Sequence, residues 1–132
     1  MSNQFIVVAR ASNLDTVVVN VSHISHIYEL DDNCSFIVFY VDSKEERGLK
    51  VTDSVDELLN QFDGAFPFVE LETILKERVF VNVSKIITIT EDSKNVTFIE
   101  LFIKRKKSRG LKIAMSIREV FIRVDNLLDS FN

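Results

Sequence analysis

The sequence predicts an α+β fold built by tandem duplication of a β-β-β-β-α unit, with largely antiparallel sheets backed by helices and the two units related by a pseudo-two-fold axis. Three observations carry this reading. "VVVNVSHISHIYE", ending at Glu29, returns 62 residues later as "VFVNVSKIITITE", ending at Glu91, and residues 17–60 laid on 79–122 without a gap are identical at 18 of 44 positions. Each copy opens with short segments rich in β-branched and aromatic residues. Each closes on a Ser-x-x-Glu followed by apolar residues at helical spacing. The repeats are residues 1–66 and 67–132, expected to pack as one compact domain, a homodimer fused into one chain.

The elements follow in order. "FIVVAR" (5–10) and "FVELETI" (68–74) are first strands, and "TVVVNV" and "RVFVNV" second strands, joined through hairpins at Asn13 to Asp15 and Leu75 to Glu77. After the shared Asn-Val-Ser, Ile24 and Ile27 match Ile86 and Ile89 in a segment that is either a strand continuation or a short turn. "FIVFYV" and "FIELFI" are the next strands. Their alternation puts Ile37, Phe39 and Val41, and likewise Ile99, Leu101 and Ile103, on a buried face; Phe36, Val38 and Tyr40 oppose Phe98, Glu100 and Phe102 on a mixed one. A polar tip then leads into "RGLKV" and "RGLKI". Ser54 with Glu57 and Ser116 with Glu119 fit the capping box, in which Ser accepts from the N3 amide and Glu reaches back to the cap amide. Val55, Leu58, Leu59 and Phe62 form the first helical stripe, and Ile117, Val120, Phe121, Val124 and Leu128 the second. The first helix stops near Asp63-Gly64, with Pro67 beyond it. The second runs toward Phe131, and its extra apolar residues, Ile122 and Leu127, need cover from the other repeat or another subunit.

Composition narrows the class. Apolar residues at 46%, eleven phenylalanines, three glycines and one proline describe an ordered, Phe-filled chain of 132 residues. The single cysteine, Cys34, allows no intramolecular disulfide, and residues 1–10 lack the basic start and apolar run of a secretory signal, so a cytoplasmic location is expected. The apolar runs are far shorter than a bilayer requires. The Asn-x-Ser/Thr triplets at Asn20, Asn33, Asn82 and Asn95 therefore call for an explanation other than glycosylation. The net charge of −4 hides an asymmetry: residues 1–66 hold four Lys/Arg against eleven Asp/Glu, residues 67–132 twelve against nine.

The spacing Val-Asn-x-x-x-Ile-x-x-Ile-x-Glu, an apolar strand and then "LKVTDSVDELL" resembles the short module of flagellar FlbD-type proteins and similar small bacterial and phage proteins, once per repeat. Asn20, Ile24, Ile27 and Glu29 match its first half, and Val51, Ser54, Val55, Glu57 and Leu58 its second. Met115 departs from it, standing where the pattern has a polar residue. These motifs are structural, and the resemblance implies no chemistry. In topology, tandem β4-α repeats also look like the Whirly class of single-strand nucleic-acid binders.

Candidate chemical groups are few. His23 and His26 form an H-x-x-H pair, but zinc needs further ligands, and Lys85 and Thr88 replace them in the second repeat. Cys34 lies in acidic "ELDDNCS", which disfavours the thiolate. Asp31, Asp32 and Asp42 lack the spacing of a calcium loop, and Gly48 and Gly110 stand alone, so no phosphate loop exists. No catalytic residue, cofactor, metal or small-molecule substrate is expected.

The remaining feature is "IKRKKSRGLKI" (103–113), with five cations in six positions. Its Lys106, Arg109, Gly110 and Lys112 match Lys44, Arg47, Gly48 and Lys50, so part of the basic run belongs to the shared scaffold. Where the first repeat has Asp42, Ser43, Glu45 and Glu46, the second has Lys104, Arg105, Lys107 and Ser108. Such a tip can dock on acidic protein, including the first repeat of a neighbour, or grip phosphates through Lys104, Arg105, Lys106, Lys107 and Arg109 while Phe98 or Phe102 stacks on bases. It can also serve only to keep a sheet edge from pairing. The leading expectation is a non-enzymatic binding or assembly protein that engages a protein partner or itself through sheet and hairpin surfaces; the alternative is binding of single-stranded DNA or RNA.

Overall fold

All four asparagines of the Asn-x-Ser/Thr triplets have structural work in the fold, and they explain much of its course. In the computed structural model, which describes residues 4–42, 45–62, 66–101 and 109–129, the chain divides into two compact units, Met1–Phe66 and Pro67–Asn132. The described residues form ten strands and two α-helices, an α+β architecture with antiparallel pairing in each unit.

In the first unit β1 (Phe5–Ala9) and β2 (Thr16–Asn20) form a hairpin with Val7 opposite Val18. Asn20 then ends β2 by accepting the Ser22 amide (3.1 Å) and the Ser22 hydroxyl (2.7 Å), which starts a single 3-10 turn at Val21–His23. The chain leaves it as β3 (His26–Glu29). Asn33 sits at φ 60°, the left-handed conformation that asparagine adopts more readily than other side-chain-bearing residues, and so turns β3 into β4 (Ser35–Asp42). Then come β5 (Glu45–Val51) and α1 (Val55–Gln61), whose Val55 and Leu58 are buried.

The second unit, by itself, follows the same order. Its elements are β6 (Phe68–Glu72), β7 (Arg78–Asn82), a 3-10 turn at Val83–Lys85, β8 (Ile86–Ser93), β9 (Val96–Leu101), β10 (Arg109–Ile113) and α2 (Ile117–Asp129). Asn82 repeats the bonds of Asn20 on Ser84, at 3.1 and 2.7 Å, and Asn95 repeats the left-handed turn of Asn33 at φ 65°.

The third residues of the later triplets are equally specific. The buried Ser35 hydroxyl donates to the Asp53 carbonyl (2.8 Å), and the buried Thr97 hydroxyl donates to the Met115 carbonyl (2.7 Å). Each ties the start of a central strand to the loop that launches its helix. Both partners lie 62 residues apart in the two units, so Met115 loses the polar side chain of Asp53 but keeps the backbone acceptor.

The described units have five strands each rather than four. The segment left open by the sequence is both a turn and a strand: the asparagine cap takes up the residues after β2, and the chain re-enters the extended state at His26 or Ile86. A second departure is local to β4. Pairing with β5 shifts register between Val38 and Tyr40, so Phe39 is the extra residue of a bulge. Ile37 and Val38 are both buried while Phe39 is half-buried, which breaks the expected alternation. In β9 the alternation holds, with Thr97, Ile99 and Leu101 buried.

Glycine is required on β5 and β10 by close approach. A Cβ built on Gly48 would overlap the Ile37 carbonyl oxygen and lie 2.8 Å from its carbon; one on Gly110 would overlap the Ile99 carbonyl oxygen and the Phe98 ring. The helix starts differ slightly. At α1 both bonds of the capping box form, Glu57 N–H to Ser54 Oγ (3.2 Å) and Ser54 N–H to Glu57 Oε1 (2.9 Å). At α2 the Glu119 amide donates to Ser116 Oγ (3.2 Å), while the Glu119 carboxylate takes the Ser116 hydroxyl at 3.4 Å. Asp63 and Gly64, the expected stop of α1, lie outside the described residues, as does Phe131.

Candidate functional site

The first unit carries a polar cluster that has no counterpart among the described residues of the second. His26, only 1% exposed, shares a hydrogen bond with Ser25 Oγ through Nδ1 (2.8 Å) and meets Glu46 Oε2 at Nε2 (2.6 Å). Tyr28 donates its hydroxyl to Glu46 Oε1 (3.0 Å), and its ring meets that of His26 edge-on at 5.2 Å. β3 supplies His26 and Tyr28, and β5 supplies Glu46, across the intervening β4. Burial pushes the Glu46 carboxyl up, but the hydrogen bond and charge of His26 and the hydroxyl of Tyr28 outweigh it and hold the group below the usual carboxylate range. Ser, His and Glu are the residue types of a nucleophilic triad, yet Ser25 is itself 1% exposed and lies beside its own neighbour's ring. With its hydroxyl sealed from solvent, the cluster pins the β4–β5 hairpin to β3.

The histidine pair is therefore split. His23 is exposed in the 3-10 turn, whereas His26 points into the unit, and no group of three or more His, Cys, Asp or Glu side chains converges among the described residues. Asp32 bonds Lys50 (3.1 Å), which lowers its pKa. The half-buried Cys34 thiol is pushed up, first by desolvation and then by Asp32, away from nucleophilic use.

Two apolar surfaces stand open among the described residues. On the hairpin β1–β2, Phe5 (54% exposed), Val7 and Val18 (62%) share one face. The corresponding hairpin β6–β7 is covered: Phe68 is buried, and Phe80, which occupies the place of Val18, is 4% exposed. There Arg78 holds Glu70 (2.7 and 3.2 Å) and stacks over Phe80 at 4.9 Å, and Arg123 of α2 donates to the Glu70 carbonyl. The second surface is the outside of α2. Val120 and Val124 are buried and Ile117 and Leu127 half-buried, while Phe121 (61%), Ile122 and Leu128 are exposed. Phe121 and Leu128, expected on the buried stripe, thus lie outside it, because the stripe runs through Leu127 instead.

Of the residues singled out for partner or nucleic-acid contact, Phe102, Lys104, Arg105, Lys106 and Lys107 lie outside the described residues. Arg109 opens β10 opposite Leu101. Phe98 is half-buried on β9, its ring against Gly110. The sequence reading missed the His26–Glu46 contact, whose partners are 20 residues apart; the replacement of His26, Tyr28 and Glu46 by Thr88, Thr90 and Ser108 was the available signal. No protein-family model, curated protein or solved structure matches the chain. No helix among the described residues is long and apolar enough to cross a membrane.

Proposed function

We propose that this protein is a non-enzymatic binding and assembly module that engages a protein partner or a second copy of itself through its sheet and hairpin surfaces. The observation that carries the reading is the open face of Phe5, Val7 and Val18: in the second unit Phe68 and Phe80, at the places of Phe5 and Val18, are buried, and the charged Glu70 stands in place of Val7. A face built with the same strand pattern but left in water signals a surface made to be covered. Exposed Phe121, Ile122 and Leu128 on α2 add a second such surface. The residues with catalytic potential, Ser25, His26 and Glu46, bond in a chain in which Ser25 and His26 are buried. Light scattering at high concentration and low salt tests self-association, and a strict monomer there counts against that arm.

The alternative is binding of single-stranded DNA or RNA, favoured by the five cations within residues 104–109. It predicts affinity that falls steeply with salt and disappears when Lys104, Arg105, Lys106, Lys107 and Arg109 are replaced by Ser. Absence of binding at low salt rules it out.

A further inference from the structure

We propose that the outer edge of β2 pairs with β2 of a second copy, antiparallel, about a two-fold axis at Val18. The proposal rests on the assembly reading above and names its partner and contact. It starts from the phase of the β1–β2 ladder. Val21 N–H donates to Gln4 O (2.7 Å) and Arg10 N–H to Asp15 O (2.9 Å), and these bonds bracket a register in which Ile6 opposes Val19 and Val8 opposes Val17. Hydrogen-bonded pairs alternate along an antiparallel ladder, so these residues turn their peptide groups inward. Phe5, Val7 and Ala9 then turn theirs away from β2, and Thr16 and Val18 turn theirs away from β1.

The two outer edges are treated differently. That of β1 is sealed. Gln61 on α1 uses its side-chain amide like a piece of neighbouring strand, accepting from Val7 N–H (2.8 Å) and donating to Val7 O (2.7 Å). Asp53 accepts from Ala9 N–H (2.9 Å), and Thr52 N–H donates to Ala9 O (2.9 Å). The outward amides and carbonyls of Thr16 and Val18 have no such partner among the described residues. Nor does β2 carry the usual protection. β2 pairs with β1 alone, and "TVVVN" has no charge at all.

A second copy fits this edge by symmetry. With the axis at Val18, each Val18 exchanges both backbone bonds with its mate, and the Asn20 amide reaches the Thr16 carbonyl of the other copy. Val17 faces Val19, and no like charges meet. Side chains of a directly opposed pair share a face, so the two Phe5-Val7-Val18 surfaces join into one apolar sheet face. The contact is isologous and closes at two copies.

Amide hydrogen exchange of the full chain, in concentrated and dilute samples, tests this. The expected result is protection of the Val18 amide that is lost on dilution, while the Val19 amide stays protected in both. Protection of Val18 at every dilution would show that the edge is covered within the chain, and it would overturn the proposal. Association by light scattering with an unprotected Val18 would overturn it too, leaving the broader assembly reading intact; no association at all removes both. Val18→Pro, which deletes only an outward donor, and Val18→Lys, which places two cations at the axis, should each abolish the dimer. Val18→Lys provides the readout if the proline variant does not fold, and a dimer that survives it refutes the edge pairing.

Discussion

Substituting Gly48 by alanine should be among the most damaging single-methyl changes in the first unit. The added Cβ would overlap the carbonyl oxygen of Ile37, approach its carbon to 2.8 Å and the Val38 Cα to 3.0 Å. Every one of these atoms is backbone, so no side chain can rotate away; β5 must separate from β4 next to the Phe39 bulge, where the register already shifts. Overpacking of this kind costs about 1–3 kcal/mol, and weakening one or two ladder bonds adds roughly 1 kcal/mol each. A total loss of about 2–5 kcal/mol follows for Gly48→Ala. Gly110→Ala meets a single backbone oxygen and the Phe98 ring, which can swing, so its loss should be smaller. Urea denaturation followed by circular dichroism, with midpoint and slope fitted separately, measures both. A neutral Gly48→Ala would refute the close approach of β5 to β4.

Asn82→Ala should cost about 1–2 kcal/mol and Asn20→Ala less, because each caps a 3-10 turn but only Asn82 is fully buried; thermal melts compare the two. Thr97→Val should destabilise by about 1–3 kcal/mol, since it leaves the Met115 carbonyl without its buried donor while preserving shape, and Ser35→Ala should act likewise on Asp53; urea midpoints read both. Glu46 has a depressed folded-state pKa, so its contribution to stability is present above the normal carboxylate range and is lost as pH falls through that lowered value. Wild type should therefore exceed Glu46→Gln in stability at neutral pH and converge with it in acid; a gap that persists or grows in acid would contradict the assignment.

The parts of this fold that were legible in the sequence are those encoded locally and stated twice. Ser54 with Glu57, and the strand-forming runs around Val18 and Phe80, need only neighbours in sequence to be interpreted, and the repeat supplies a second reading of each. The 3-10 turns were half legible. Asn20-Val-Ser22 and Asn82-Val-Ser84 have the composition of an asparagine cap, but the same letters describe a glycan acceptor, and only the side-chain bonds decide between them. The bulge at Phe39 left no local trace, because "FIVFYV" alternates as well as any regular strand; it arises where Gly48 lets β5 approach. His26 and Glu46 meet across β4, a long-range contact that periodicity cannot encode. The α2 stripe was misassigned at Phe121 and Leu128 because the seven apolar residues in that helix are compatible with more than one face, and packing selected Leu127.

Phe5→Ser provides the most direct test of the claim that this is an assembly surface and not a frayed piece of core. Phe5 is 54% exposed, so in the isolated chain the substitution should change unfolding free energy by no more than about 0.5 kcal/mol. Sedimentation velocity across a concentration series should show the wild type shifting reversibly to a larger species, with Phe5→Ser remaining monomeric. A large loss of stability in dilute solution, or association unaltered by the substitution, would contradict the account.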